Sequence, residues 1–275
     1  MNPESPLLQH KHFQHPPVFL PENLMRETRR QKALASGRVP EVCVLDPDGD
    51  MVRHLVNQHQ ARPDPAWACY HTTLYRFEQT ALTLGIIGCA VGGPFAVLLA
   101  EQLFVSGCEL LVSVTSAGQI TPTRTPPYWV LIDRAMRDEG TSHHYLPPAR
   151  YVHLQPELRR QCEASLAEFS PAVELGSAWT TDAPYRETAE AIAAARAEGV
   201  LAVEMEAASL YAFAEARQQS VVCFAHITNR MGVSEGDFEK GEADGTAASL
   251  RLIEAVAKHW LGIANGTGRS RSRDG

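Results

Sequence analysis

The strongest constraint on this chain is an alternation between two hydrophobic periods. From Glu41 to Leu261, short apolar runs of strand length take turns with longer segments whose apolar residues recur at helical spacing. Glu41 to Leu45, Glu109 to Val114, Val173 to Trp179, Leu201 to Val203 and Val221 to Ile227 read as strands. Trp129 to Ile132 reads as one more, and Thr72 to Phe77 with Ala81 to Ile87 as a hairpin. Helical patterns cover Met51 to His59, Pro94 to Phe104, Glu157 to Glu168, Thr188 to Glu198, Ala207 to Gln218 and Ala247 to Leu261. Strands that alternate with helices predict a sheet covered on both faces. The expected fold class is therefore α/β: a single three-layer α/β/α domain over 41–263 with a central mixed sheet.

The flanks differ. Residues 1–40 read as an N-terminal arm, rich in Pro, His and Gln up to Pro21, and then a helix to about Leu34. Residues 264–275 are rich in Gly, Ser and Arg and read as a flexible tail. His10, His12 and His15 lack a Cys or carboxylate partner at ligand spacing, so a polar tail is preferred and no metal is expected.

Ala81 to Ala100 carries no charge and approaches membrane-span length. Gly85, Gly88, Gly92, Gly93 and Pro94 would break a spanning helix at its middle, so strand, turn and helix is the expected reading. The net charge is −7. Phosphate neutralisation needs clustered Lys and Arg, so neither nucleic acid nor a membrane surface is an expected partner. The six cysteines are scattered among apolar neighbours without CxxC spacing. They read as free thiols in a reducing, cytoplasmic compartment.

In sheets of this kind ligands bind beyond the carboxyl ends of the strands. That rule selects the segments after Leu45, Val114, Trp179 and Ile227. Asp48-Gly49-Asp50-Met51-Val52-Arg53 pairs a glycine at a helix start with an arginine one turn in, which suits an anion or an ordinary turn. Gly88 to Pro94 lets a backbone approach a ligand or a neighbouring element. Thr115 and Ser116 offer hydroxyls at a strand end. In Glu204-Met205-Glu206 two carboxylates flank a methionine where a buried strand enters an alanine-rich helix. Burying an acid costs several kcal/mol unless it is bonded, and a vicinal diol supplies donors. The helix dipole accounts for Glu206 but not for Glu204. Thr228-Asn229-Arg230 follows the last strand as a polar triplet.

In this order the segments resemble the nucleoside phosphorylase family, which includes uridine phosphorylase, hexameric purine nucleoside phosphorylase and the methylthioadenosine nucleosidases. The resemblance runs from Val42 to Leu261. Val203 to Ala207 is similar to the family's VEMEA ribose segment, which implies ribose contacts for Glu204, Met205 and Glu206. The 48–53 segment resembles the phosphate loop, implying phosphate contacts for Gly49 and Arg53, with Thr115 and Ser116 joining them. Ile227 to Arg230 looks like the uridine-phosphorylase form of the last loop, placing Asn229 and Arg230 beside Glu206 in catalysis. Asp182, Tyr185 and Arg186 fall in the base-binding loop.

Two departures stand out. Ser113 replaces an arginine that phosphorylases aim at phosphate, and the arginine lent by a neighbouring subunit maps near Tyr70 or His71. Arg124 and Arg150 are the candidates to compensate. The resemblance implies phosphorolysis of a nucleoside, with phosphate as co-substrate and no cofactor. Asn229 is no general acid, which favours a pyrimidine such as uridine over a purine. Hydrolysis by water and catalytically silent nucleoside binding are the rival readings. A homo-oligomer is also implied, either a dimer or a hexamer built as a trimer of dimers.

Overall fold

The computed structural model describes residues 5–232 and 235–263; the expected 264–275 tail lies outside them. Helix α1 (Pro21–Gln31) follows the N-terminal arm. The sheet then opens with β1 (Val42–Asp46), buried at every position as a strand covered on both faces must be. Next come α2 (Asp50–Asn57), β2 (Ala61–Pro63), β3 (Tyr75–Gln79), β4 (Leu82–Gly88) and α3 (Gly93–Val105). They lead to β5 (Leu110–Gln119), β6 (Tyr128–Asp138), α4 (Ser142–Tyr145), β7 (Tyr151–His153) and α5 (Pro156–Ser165). The chain continues through β8 (Glu174–Thr181), α6 (Ala189–Ala197), β9 (Val200–Glu204), α7 (Ala207–Arg217), β10 (Ser220–Asn229) and α8 (Thr246–Trp260).

The strands form one mixed sheet in the order β10-β6-β8-β9-β5-β1-β4-β3-β2, with β7 on β6. Strand β10 also pairs with β5, so β5, β10, β6, β8 and β9 close into a ring. Helix α3 packs with α1 and α7, and α7 with α4; α8 packs with α2 and α5. These two groups of helices are the outer layers of the expected α/β/α sandwich.

One junction places everything that follows. Along one edge β5 carries β10 from Leu110 to Gly118. Along the other it carries parallel β1 at 110–113, then antiparallel β9 at Gly118 and Gln119. Residues 114–117 have no strand partner on that second edge. The fork therefore opens between the carboxyl end of β1 and the end of β9.

Several elements correct the sequence reading. Thr115 to Gly118 is strand rather than loop, because β10 continues to pair across Thr115 and Ser116. Strand β6 extends well past Ile132; its interspersed Asp133, Arg134 and Arg137 hide the apolar pattern. Strands β2 and β7 and helix α4 are too short to carry a period of their own. The uncharged stretch 81–100 is indeed strand, turn and helix, and no helix among the described residues is long and apolar enough to cross a membrane.

Helices α3 and α7 touch where Gly93 faces Ser209. A Cβ on Gly93 would stand 2.8 Å from the Ser209 Cβ and closer still to its hydroxyl. Gly93→Ala is expected to cost about 1–3 kcal/mol by overpacking, read as a lower midpoint in urea unfolding with an unchanged m-value.

Candidate functional site

The two acids at the β9–α7 junction have different duties. Glu204 Oε2 accepts hydrogen bonds from the Glu206 and Ala207 backbone N–H groups, both at 2.7 Å. Its other oxygen accepts from the Thr180 hydroxyl, which in turn accepts from Ala208 N at 2.9 Å. Glu204 thus caps α7 with both oxygens committed. The dipole argument accounts for Glu204, where the sequence reading had given it to Glu206.

Glu206 turns the other way. Its Oε1 accepts from Gly92 N, at the start of α3, at 2.6 Å. Thr115 stands beside this carboxyl and favours its charged form, while its hydroxyl donates to Ser116 O at 3.4 Å. Oε2 has no hydrogen-bond partner among the described residues, although the residue is only 1% exposed. Burial raises the pKa of Glu206, and the charge of Glu204 raises it further. Glu204 is also raised by burial, against its three hydrogen bonds. A buried carboxylate oxygen with no donor is costly unless a ligand supplies one. Met205 beside it is half-buried.

On the β1 side, Asp46 caps α2 through Val52 N at 2.9 Å, and burial pushes its pKa up to about 6. Gly49 takes the left-handed conformation, φ +75°, that lets the loop turn into α2. Arg53 pairs with Asp50 and donates to Asp48 O at 3.0 Å. The Ser116 hydroxyl donates to the Asp48 carboxylate. A lysine that sequence reasoning missed completes the group: Lys240 Nζ lies 2.5 Å from Asp50 and 3.4 Å from Asp48. Burial draws the Lys240 pKa down, but the two carboxylates outweigh it and leave it raised. No spacing in sequence links Lys240 to residues 48–50.

His226, opposite Ser116 in the β5–β10 register, stacks flat on Trp129 at 4.4 Å with its Nε2 unpartnered. Burial pushes its pKa down to about 4. Its folded value lies below the unfolded 6.5, so the stability it contributes is present above pH 6.5 and is lost as pH falls through about 4. His226→Phe is expected to remove about 3 kcal/mol of that acid sensitivity, seen as a flatter stability profile between these pH values.

The other expected residues have partners of their own or are exposed. Asn229 is buried, but its Oδ1 accepts from Met231 N at 2.9 Å and its Nδ2 donates to Thr228 Oγ1, so its amide serves the turn. Arg230 is exposed and lines a cleft with Gln119, Thr123 and Arg124. Asp182 accepts from Gly140 N at 2.8 Å. Tyr185 is 98% exposed and Arg186 is exposed, so within one chain neither covers the site. Arg124 pairs with Glu174 and Arg150 with Glu198. Ser113 is buried with an unpartnered hydroxyl.

Known proteins resemble this chain in sequence and fold. The sequence profile of the phosphorylase superfamily matches residues 41–258. An uncharacterised protein of Acanthamoeba polyphaga mimivirus, R802, is 26% identical over 164 residues, spanning 58% of this chain and 63% of that protein. Uridine phosphorylase from Vibrio fischeri ES114, in complex with 6-hydroxy-1-naphthoic acid, superposes with a TM-score of 0.68 at 18% identity, covering 82% of this chain and 92% of its own. Purine nucleoside phosphorylase from Toxoplasma gondii, in complex with immucillin-H, gives a TM-score of 0.68 at 16% identity with the same coverage.

Proposed function

Because the chain belongs to the phosphorylase superfamily, we propose that it is a glycosyltransferase-type enzyme that cleaves the N-glycosidic bond of a nucleoside. The observation that carries this reading is Glu206. Its free, buried oxygen faces no donor among the described residues, while its other oxygen is fixed by Gly92 N. Two adjacent ribose hydroxyls are the donors such a carboxylate lacks. Held there, the sugar has an anion beside it as its anomeric carbon gains positive charge and the base departs. Met205 packs on the ribose face.

A pyrimidine nucleoside such as uridine fits the last loop best. Asn229 has no proton to give a purine ring, and its amide is already bonded in the turn. Asp182, Tyr185 and Arg186 form the base side. The exposure of Tyr185 and Arg186 in a single chain fits a site completed by a second copy, in a dimer or a trimer of dimers. No cofactor enters this chemistry, and the free thiols of Cys43, Cys69, Cys108, Cys162 and Cys223 suit the cytoplasm.

The test is a panel of nucleosides, each incubated with and without phosphate, with base release followed by absorbance. Base release that disappears in Glu206→Ala supports the reading. Nucleoside binding by calorimetry without any turnover would replace it with a silent binding protein.

A further inference from the structure

Residues 1–40 hold six Lys and Arg against three Glu, in a chain whose net charge is −7. Positive charge is thus concentrated in the N-terminal segment, and the fold gathers most of it beside the sheet edge. We propose that a groove between α1, the 35–38 segment and strands β2 and β3 binds a linear oligophosphate, either free or as the tail of a nucleotide.

The groove consists of two clefts joined at Ser36, which lines both. The first, about 520 Å³, carries Arg26, Arg29 and Arg30, which recur at helical spacing on one face of α1. The second, about 630 Å³, carries Arg38, Arg62 and Arg76. The 35–38 segment leads into the amino end of β1, whereas the Gly49 turn follows its carboxyl end. The groove and the Glu206 site therefore belong to different ends of the sheet.

The charges of the groove do not balance internally. Arg26 and Arg30 share the single carboxylate of Glu27. Asp64, with a fully buried side chain, takes Arg76 at 2.7 Å. Glu109 meets Arg38 at 3.3 Å in an exposed pair, which is worth little. Arg29 is half-buried and has no ion pair among the described residues: it donates to Ala66 O at 3.3 Å, and its Nε is buried without a partner. Leaving such a cation without a counter-charge is costly.

Arg62 points to the same ligand independently. It stands directly opposite Arg76 in the antiparallel β2–β3 ladder, so the two share a face. Like charges in that position are destabilising. Asp64 Oδ2 accepts from Arg76 Nε and Nη2 and neutralises it. Arg62 is exposed, and its side chain has no hydrogen bond or ion pair among the described residues. An anion supplies what both Arg29 and Arg62 lack, and guanidinium forks take phosphate oxygens in pairs. Because the two arginines line different clefts, one phosphate serves one of them, whereas a chain of phosphates running past Ser36 serves both.

The experiment is calorimetric titration of the full chain at about 0.15 M salt with inorganic triphosphate, monophosphate and a nucleoside triphosphate. Saturable, salt-sensitive binding of triphosphate is expected, about tenfold or more tighter than that of monophosphate. Arg62→Gln and Arg29→Gln should each weaken it about tenfold. Melting curves identify any loss of fold, and the exposed Arg62 decides the matter if Arg29→Gln is unstable. Arg160→Gln, which removes an equal charge from α5, and Ser116→Ala should leave binding unchanged. Equal affinity for the two triphosphates assigns the groove to a free chain, and tighter binding of the nucleotide assigns it to a nucleotide tail. No saturable binding, equal affinity for monophosphate, unchanged affinity in Arg62→Gln, or loss of binding in Ser116→Ala overturns the proposal. Displacement of triphosphate by a lower concentration of oligoglutamate also overturns it, giving the groove to an acidic peptide.

Discussion

Glu206→Gln is expected to lower kcat/KM by about 100- to 1,000-fold and, in the same protein, to raise the melting temperature at pH 8. Glutamine keeps the shape and an acceptor for Gly92 N. It loses the charge that makes bonds to sugar hydroxyls strong and that faces a developing oxocarbenium ion. The stability effect has the opposite sign for a physical reason. Burial and the neighbouring Glu204 raise the folded pKa of Glu206 above its unfolded value. A group raised in this way stabilises the fold fully below its unfolded pKa, and that contribution is lost as pH rises through the folded pKa. At pH 8 the wild type carries the cost of the buried anion and the glutamine variant does not. A gain of about 1–3 kcal/mol at pH 8, shrinking towards pH 5, is expected from scanning calorimetry at the two pH values. Wild-type kinetics in the variant, or a melting temperature lowered equally at both pH values, would refute the assignment.

How much of this was legible in the sequence depends on the range of the interactions. Strand β1, the turn at Gly92 and helix α3 were readable because each is set by a local period or by residues within one turn. The continuation of β5 through Ser116 was not, because it depends on β10, more than a hundred residues later. The pair Glu204 and Glu206 could be singled out as acids at a buried junction, but the helix dipole was credited to Glu206, whereas Glu204 is the acid that meets the N–H groups at the start of α7. Telling them apart requires knowing that Gly92 meets Glu206 and Thr180 meets Glu204. Lys240 was invisible for the same reason: nothing near it in sequence marks it, and its partners Asp48 and Asp50 come from the other end of the chain. Arg124 and Arg150 had been proposed on residue type alone, and each is paired with a carboxylate, Glu174 and Glu198.

Glu204 should therefore behave as a structural acid, and its substitution should separate it from Glu206. In Glu204→Ala the Glu206 and Ala207 N–H groups and the Thr180 hydroxyl lose their acceptor inside a closed junction. Each buried donor left unpaired costs about 1–3 kcal/mol, and the space vacated adds a cavity cost. Removing a buried carboxylate that sits close to Glu206 offsets part of this. The balance is a loss of about 3–5 kcal/mol, or roughly 10 °C in melting temperature for a chain of this size. Activity, measured well below the transition, should fall by no more than about tenfold, because Glu206 still has Gly92 N to hold it. The reverse pattern would be decisive against this division. If Glu204→Ala melted like the wild type while losing activity as fully as the Glu206 variants, Glu204 would be contacting the sugar, and the cap on α7 would be worth little.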